Sequence, residues 1–217
     1  MSKELSTGQL WALAAGDVLL SANGYEYSCE YDTGRSGINP NKAIEILAEG
    51  WGVTDDITAW SRLEGLTVGG HRKEVDQLRS VMSVMTHEQQ LHYISSFQDP
   101  IKVTDLSIIQ RYYRLLPLSG ILSWDLGRAA FICHLCLESG YIQKDEAWSF
   151  LMKNASHIQQ SYSSWQEYGT SYIIGRQFWA GEIEDEHTQQ NLNFISSQFT
   201  KPDSPWAILP WYTDLKE

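Results

Sequence analysis

The chain is 217 residues long and carries 27 acidic against 16 basic side chains, a net charge of −11. That excess repels phosphate backbones and anionic bilayers, so nucleic-acid and membrane-surface binding are disfavoured and a basic protein partner is favoured. The length suits a single domain over residues 1–217, and 42% apolar residues with nine Trp and eleven Tyr supply a large core.

Three cysteines, Cys29, Cys133 and Cys136, are too few and odd in number for a disulfide framework. The opening Met-Ser-Lys-Glu-Leu leads into no uninterrupted apolar run, so no secretory signal is expected. Residues 118–137 are the most apolar stretch, yet they include Asp125, Arg128 and His134, which specifies a buried core helix rather than a membrane span. A cytoplasmic location is the resulting expectation.

Residues 9–20, rich in Ala and Leu, predict a first helix. Residues 21–40 are full of Gly, Asn, Ser and Tyr and read as a long loop. Asn39-Pro40 starts a helix that runs to Glu49 and stops at Gly50. Thr54 caps the next, with Asp55 and Asp56 in its first turn and Ile57, Trp60 and Leu63 at helical spacing. After Gly69-Gly70 comes a segment over 72–85, and Thr86-His87-Glu88-Gln89 reads as a capping box opening another helix that ends before Pro100. Thr104 begins a further helix, which Pro117 ends. The central helix is expected over 119–138 with Gly140 past its end, then one over 144–162. Ser164-Trp165-Gln166-Glu167 reads as a second capping box, for a helix to Trp179, and a last helix covers 185–199. Residues 200–217, with three prolines in 202–211, read as an extended Pro- and Trp-rich tail. Only Leu66 to Val68 looks β-like. The fold class is therefore all-α: one globular domain of about eight helices around a central buried helix.

Asp125 and Arg128 stand three apart, on one face of that central helix, where they can pair. A buried charge is costly unless matched, so the first reading is a structural ion pair that fixes helix packing. The sharper reading is a pocket floor, with Trp124 beside the pair and His71 contributed from the junction after Gly69-Gly70. His71 also has a bland reading as a local cap. Cys133 and Cys136 have C-x-x-C spacing but no second pair of ligands, so they read as core thiols and no metal or cofactor is expected. There is no G-x-S-x-G and no phosphate-binding loop, and His87 and His92 are five apart, missing the zinc-protease pattern. Trp148, Trp165, Tyr168, Tyr172 and Trp179 read as core, while Trp206 and Trp211 are either core or interface anchors.

Taken in order, Trp51-Gly52-Val53, Gly70-His71-Arg72, Trp124-Asp125-Leu126-Gly127-Arg128, Gly140-Tyr141-Ile142 with Glu146-Ala147-Trp148, Ser164-Trp165 with Gly175-Arg176-Gln177-Phe178-Trp179, and Ser204-Pro205-Trp206 with Leu209-Pro210-Trp211 resemble a bacterial family called domain of unknown function 1266. The resemblance spans about residue 40 to the end. It implies no established activity and no catalytic residues. It implies a cytosolic bacterial protein, with neighbourhoods near polymorphic-toxin or secretion genes that suggest an immunity or adaptor role.

Two functions follow as expectations. The first is a non-catalytic immunity or adaptor protein that neutralises a basic toxin or effector domain by direct binding. Its acidic segments would supply the contacts: Glu26, Glu30 and Asp32 in one, Glu182, Glu184, Asp185 and Glu186 in the other. The second is an enzyme or small-ligand-binding protein with a pocket around His71, Trp124, Asp125 and Arg128.

Overall fold

The computed structural model describes residues 5–25 and 38–216. Glu26, Glu30 and Asp32, Cys29 and most of the expected 21–40 loop lie outside the described residues. Among the described residues there is no strand, and the fold is all-α. The β-like piece at Leu66 to Val68 is absorbed as the end of a helix.

The amino-terminal helix α1 (Thr7–Ala22) starts on a Ser6–Gln9 capping box, in which Ser6 and Gln9 each accept the other's backbone N–H. Helix α2 (Pro40–Ile46) is capped by Asn39, as its sequence predicts, but then widens into a π-turn over Leu47–Trp51 before Gly52 closes it at φ 65°. Its regular part is thus shorter than expected. Helix α3 (Asp56–Val68) takes Asp55 as its cap, one residue later than Thr54. The face it buries is Ala59, Leu63 and Leu66, whereas Ile57 is 76% exposed. The expected Ile57–Trp60–Leu63 stripe is one register off, because Ala59 can join either face and the partner helix decides. Helices α4 (Arg72–Ser83) and α5 (His87–Ser95) follow, the second on the Thr86–Gln89 capping box. Helix α6 (Pro100–Tyr112) begins four residues before Thr104, since Asp99 caps it and Pro100 occupies its first turn.

The central helix α7 (Leu122–Ser139) is buried at every residue but the last, and Gly140 terminates it at φ 80°. Around it stand α1, α2, α3, α8 (Lys144–Ser161) and α9 (Trp165–Ala180). Ser164 caps α9, but Glu167 bonds Ser163 rather than Ser164, so the expected capping box is only half formed. Helix α10 (Glu186–Thr200) and the single turn α11 (Pro205–Ile208) complete the chain. Among the described residues eight helices run twelve residues or more, in line with the expected number, and α2, α5 and α11 are shorter.

Two apolar clusters meet along α7, and a third adjoins its amino-terminal end at Ile121. One is aromatic: Trp11, Trp165, Tyr168, Trp206 and Trp211 pack together, with Trp165 and Trp206 stacked at 5.0 Å and 11°. The indole N–H groups of three of them end on backbone carbonyls, Trp165 on Leu209, Trp206 on Ala14 and Trp211 on Tyr162, at 2.8 to 3.0 Å. Trp206 and Trp211 are therefore core, and the tail contains α11 instead of being wholly extended. A second cluster surrounds Ala129 to Leu137 with α2, α3 and α8. The third joins α4, α6 and the end of α9. Arg79 of α4 donates to the carbonyls of Tyr113, Leu116 and Pro117, which pins the α6–α7 connection.

Candidate functional site

Asp125 and Arg128 form the buried pair that their spacing predicts. Asp125 is fully buried, Arg128 is 6% exposed, and Arg128 Nη2 donates to Asp125 Oδ1. Arg128 Nε also reaches the Trp124 carbonyl at 3.2 Å, and its guanidinium lies 4.6 Å from the Trp124 ring centre. The Gly69-Gly70 turn seats the backbone against the carboxylate. A Cβ at Gly70 would fall 1.8 Å from Asp125 Oδ2, and Gly70 adopts φ +53°, so only glycine fits there. This contact brings His71 to the pair.

Burial lowers the His71 pKa from its ordinary value, and the Arg128 cation lowers it further, against the opposing pull of Asp125 and Glu74. Burial likewise lowers Arg128, with Asp125 acting in the other direction. At neutral pH the arrangement is a neutral imidazole beside an arginine that its carboxylate holds in place.

Arg128 has a second face. It lines a cavity of about 450 Å³ together with His71, Trp124, Arg176, Trp179 and Asn191. Trp51 and Arg62 are on the same wall. A cleft of about 470 Å³ opens from Trp51, Arg62, His71 and Arg128 towards α3, and another shares His71 and Trp179. His71 stands where the three meet. Arg176, on α9, is 6% exposed, donates from Nη2 to Asp185 at 2.6 Å and lies 5.1 Å from the Trp179 ring centre. Asp185 in turn caps α10 through the His187 and Thr188 amides. Burial would raise the Asp185 pKa, but the bonds from Thr188 and the Arg176 charge hold it below its ordinary value.

Three side-chain polar atoms on residues lining this cavity are buried and lack hydrogen-bond partners: Trp124 Nε1, Arg176 Nη1 and Asn191 Oδ1. Two are donors and one is an acceptor. Each is sealed from solvent, as are the likewise unpaired Trp11 Nε1, Asp125 Oδ2 and Tyr172 hydroxyl elsewhere in the core, so they belong to the packed wall, and what marks the cavity is its three arginines and three tryptophans.

The structure thus unites His71, Trp124, Asp125 and Arg128. Of the acidic candidates within the described residues, Asp185 is engaged by Arg176, while Glu182, Glu184 and Glu186 are exposed near the start of α10. Sequence reasoning misses Arg62, Arg176, Trp179 and Asn191 as site residues. Of these, Arg176 carries a usable signal, an arginine amid Ile173, Ile174 and Phe178 that mirrors Arg128 in α7. Cys133 and Cys136 are buried in the second cluster, and burial pushes the Cys136 thiol up to about 12, so both act as small core residues. Among the described residues no group of three or more His, Cys, Asp or Glu side chains is placed to hold a metal ion, and no helix is long and apolar enough to cross a membrane.

Fold and site together define an all-α protein whose polar centre is an arginine- and tryptophan-lined cavity against one buried ion pair. The chain belongs to the family described as protein of unknown function DUF1266, which it matches over residues 46–211. That span includes every cavity residue named above. No curated protein and no solved structure matches the sequence.

Proposed function

We propose that this protein binds a small molecule bearing a carboxylate or phosphate in the cavity between α3, α7, α9 and α10. The observation that carries this reading is the convergence of Arg62, Arg128 and Arg176 with Trp51, Trp124 and Trp179 on one cavity, in a chain with net charge −11. Three of only 16 basic residues around one cavity is a concentration that the overall charge opposes. Guanidinium groups match planar and tetrahedral oxyanions through paired N–H donors. Arg128 and Arg176 are already held by Asp125 and Asp185, so little side-chain freedom is lost on binding. Trp51, Trp124 and Trp179 supply flat apolar surface for the rest of the guest. A cytoplasmic location, where such molecules are abundant, accompanies this reading.

Isothermal titration calorimetry at low salt tests it, with methyl phosphate and propionate as probes. Saturable binding to the wild-type protein is expected, weakened about tenfold or more in Arg62→Gln by loss of a charge-assisted contact. Arg62 is exposed and has no carboxylate partner among the described residues, so the variant should keep its melting temperature. No saturable binding by either probe sinks the proposal.

A second reading, neutralisation of a basic toxin domain, is supported by the exposed Glu182, Glu184 and Glu186. It predicts salt-sensitive capture of one basic protein, lost when these three become Lys and unchanged by Arg62→Gln. Capture that ignores the three glutamates counts against it.

A further inference from the structure

Resting on the oxyanion site proposed above, we infer that the natural ligand joins its acid group to a flat, uncharged ring, and that Trp179 is the platform on which this ring lies. Of the nine tryptophans, Trp179 is the most exposed at 53%, with Trp60 next at 37%. Its place in the apolar run of α9 reads as core, and the chain does bury Trp11, Trp124, Trp165, Trp206 and Trp211. The other two indoles of the cavity are already engaged. The Arg128 guanidinium lies 4.6 Å from the Trp124 ring centre and 6.0 Å from that of Trp51, so both brace the arginine. Trp179 meets Arg176 at 5.1 Å and Trp124 at 5.9 Å, both of them buried, and the rest of its surface stays open.

Shared walls order the three recesses around His71. The cleft towards α3 shares Trp51, Arg62, His71 and Arg128 with the central cavity. The central cavity shares His71 and Trp179 with the cleft towards α6, and the two outer clefts share His71 alone. Arg62 thus marks one end of the groove and Trp179 the other. Charge changes along the same line. Among the described residues no carboxylate lines the central cavity or the cleft towards α3, whereas Glu74 and Asp105 line the cleft beyond Trp179. Lys102, 3.7 Å from Glu74, is one cation set against those two acids. An acid group therefore settles at Arg62, which is exposed and has no carboxylate partner among the described residues, and a negative group is repelled at Trp179. A second cation is not the fit either, because Arg176 already lies against this indole. What remains is a neutral flat ring, for which an open indole offers dispersion and quadrupole contact. A cavity of about 450 Å³ has room for ring and acid group together. Aryl carboxylates and ring-bearing phosphate esters, nucleoside monophosphates included, share this chemistry.

Calorimetry on the full chain at low salt and about pH 8, where His71 is neutral, tests this with two matched pairs. They are phenyl phosphate against methyl phosphate, and 3-phenylpropionate against propionate. The ring-bearing member of at least one pair is expected to bind about fivefold tighter or more, and the pair that shows it identifies the acid group as phosphate or carboxylate. A negative charge on the ring, as in 4-carboxyphenyl phosphate, should remove most of that gain. Trp179→Leu, which keeps an apolar side chain but no flat face, should bring the ratio to about one and leave the ring-free member unchanged. Trp179→Phe should keep most of the ratio, and with the residue half exposed both variants should fold. Three results overturn the inference while leaving the oxyanion site intact: equal affinities within both pairs in the wild-type protein, a ratio that survives Trp179→Leu, or 4-carboxyphenyl phosphate binding as tightly as phenyl phosphate. Failure of every probe to bind overturns the oxyanion reading itself.

Discussion

Arg128 pairs with Asp125 inside α7 and also lines the cavity, so its removal has two separable consequences. Arg128→Met would leave a fully buried carboxylate without its counter-ion and should cost about 3–5 kcal/mol, measured by urea unfolding. Adding Asp125→Asn to it should recover much of that loss, since the uncompensated charge disappears. A double variant as unstable as the single one would mean that the pair is not what Asp125 contributes. His71 sets the pH response. Its pKa is lowered in the fold, so as pH falls below about 6.5 the unfolded chain takes up a proton that the folded chain resists. Stability should therefore fall with pH from about 6.5 down through the lower folded value, and His157, lowered by burial and by Arg72, adds in the same direction. An oxyanion beside His71 favours its protonated form, so affinity should rise towards acid pH with net proton uptake. Titration near pH 6.5 in two buffers of different ionisation heat reads that uptake, which His71→Gln should remove. The Asp125–Arg128 pair is legible in the sequence because three-residue spacing puts two opposite charges on one helical face, among apolar neighbours that force them together. Arg62 and Asn191 are not, because an exposed arginine and a helical asparagine have nothing local to mark them.

Among the helices, close approach between α7 and α9 is the controlling feature. A Cβ at Gly175 would stand 2.4 Å from the Trp124 Cβ, and one at Gly127 would stand 2.7 Å from the Tyr172 ring. Gly175→Ala should push the two helices apart and destabilise by about 1–3 kcal/mol. Because Trp124 lines the cavity, it should also weaken oxyanion binding, which a parallel titration would show. Wild-type stability in this variant would mean that the interface yields elsewhere. Helix starts are readable where a side chain answers its own backbone, as at Asn39, Thr86, Ser164 and Asp185. Thr104 misleads because its hydroxyl bonds the Pro100 carbonyl within a helix already begun, a contact that local sequence cannot tell from a cap.

Over the molecule as a whole, the first and last segments close one aromatic cluster, with Trp11 of α1 4.6 Å from Trp165 and Trp206 stacked on the other side. Trp206→Ala should cost about 3–5 kcal/mol and lower the cooperativity of thermal unfolding, although the residue lies near the end of the chain. A loss under about 1 kcal/mol would mean that the tail is a loose appendage. Composition and periodicity are enough to establish an all-helical chain with a buried charged helix at its centre, because those properties depend on neighbours within a few turns. Whether Trp206 and Trp211 face solvent or core, and whether Arg62, Arg128, Arg176 and Asn191 share a cavity, depends on contacts between residues far apart in the chain. Helix packing alone makes those contacts, since no local pattern records which distant surface a side chain will meet.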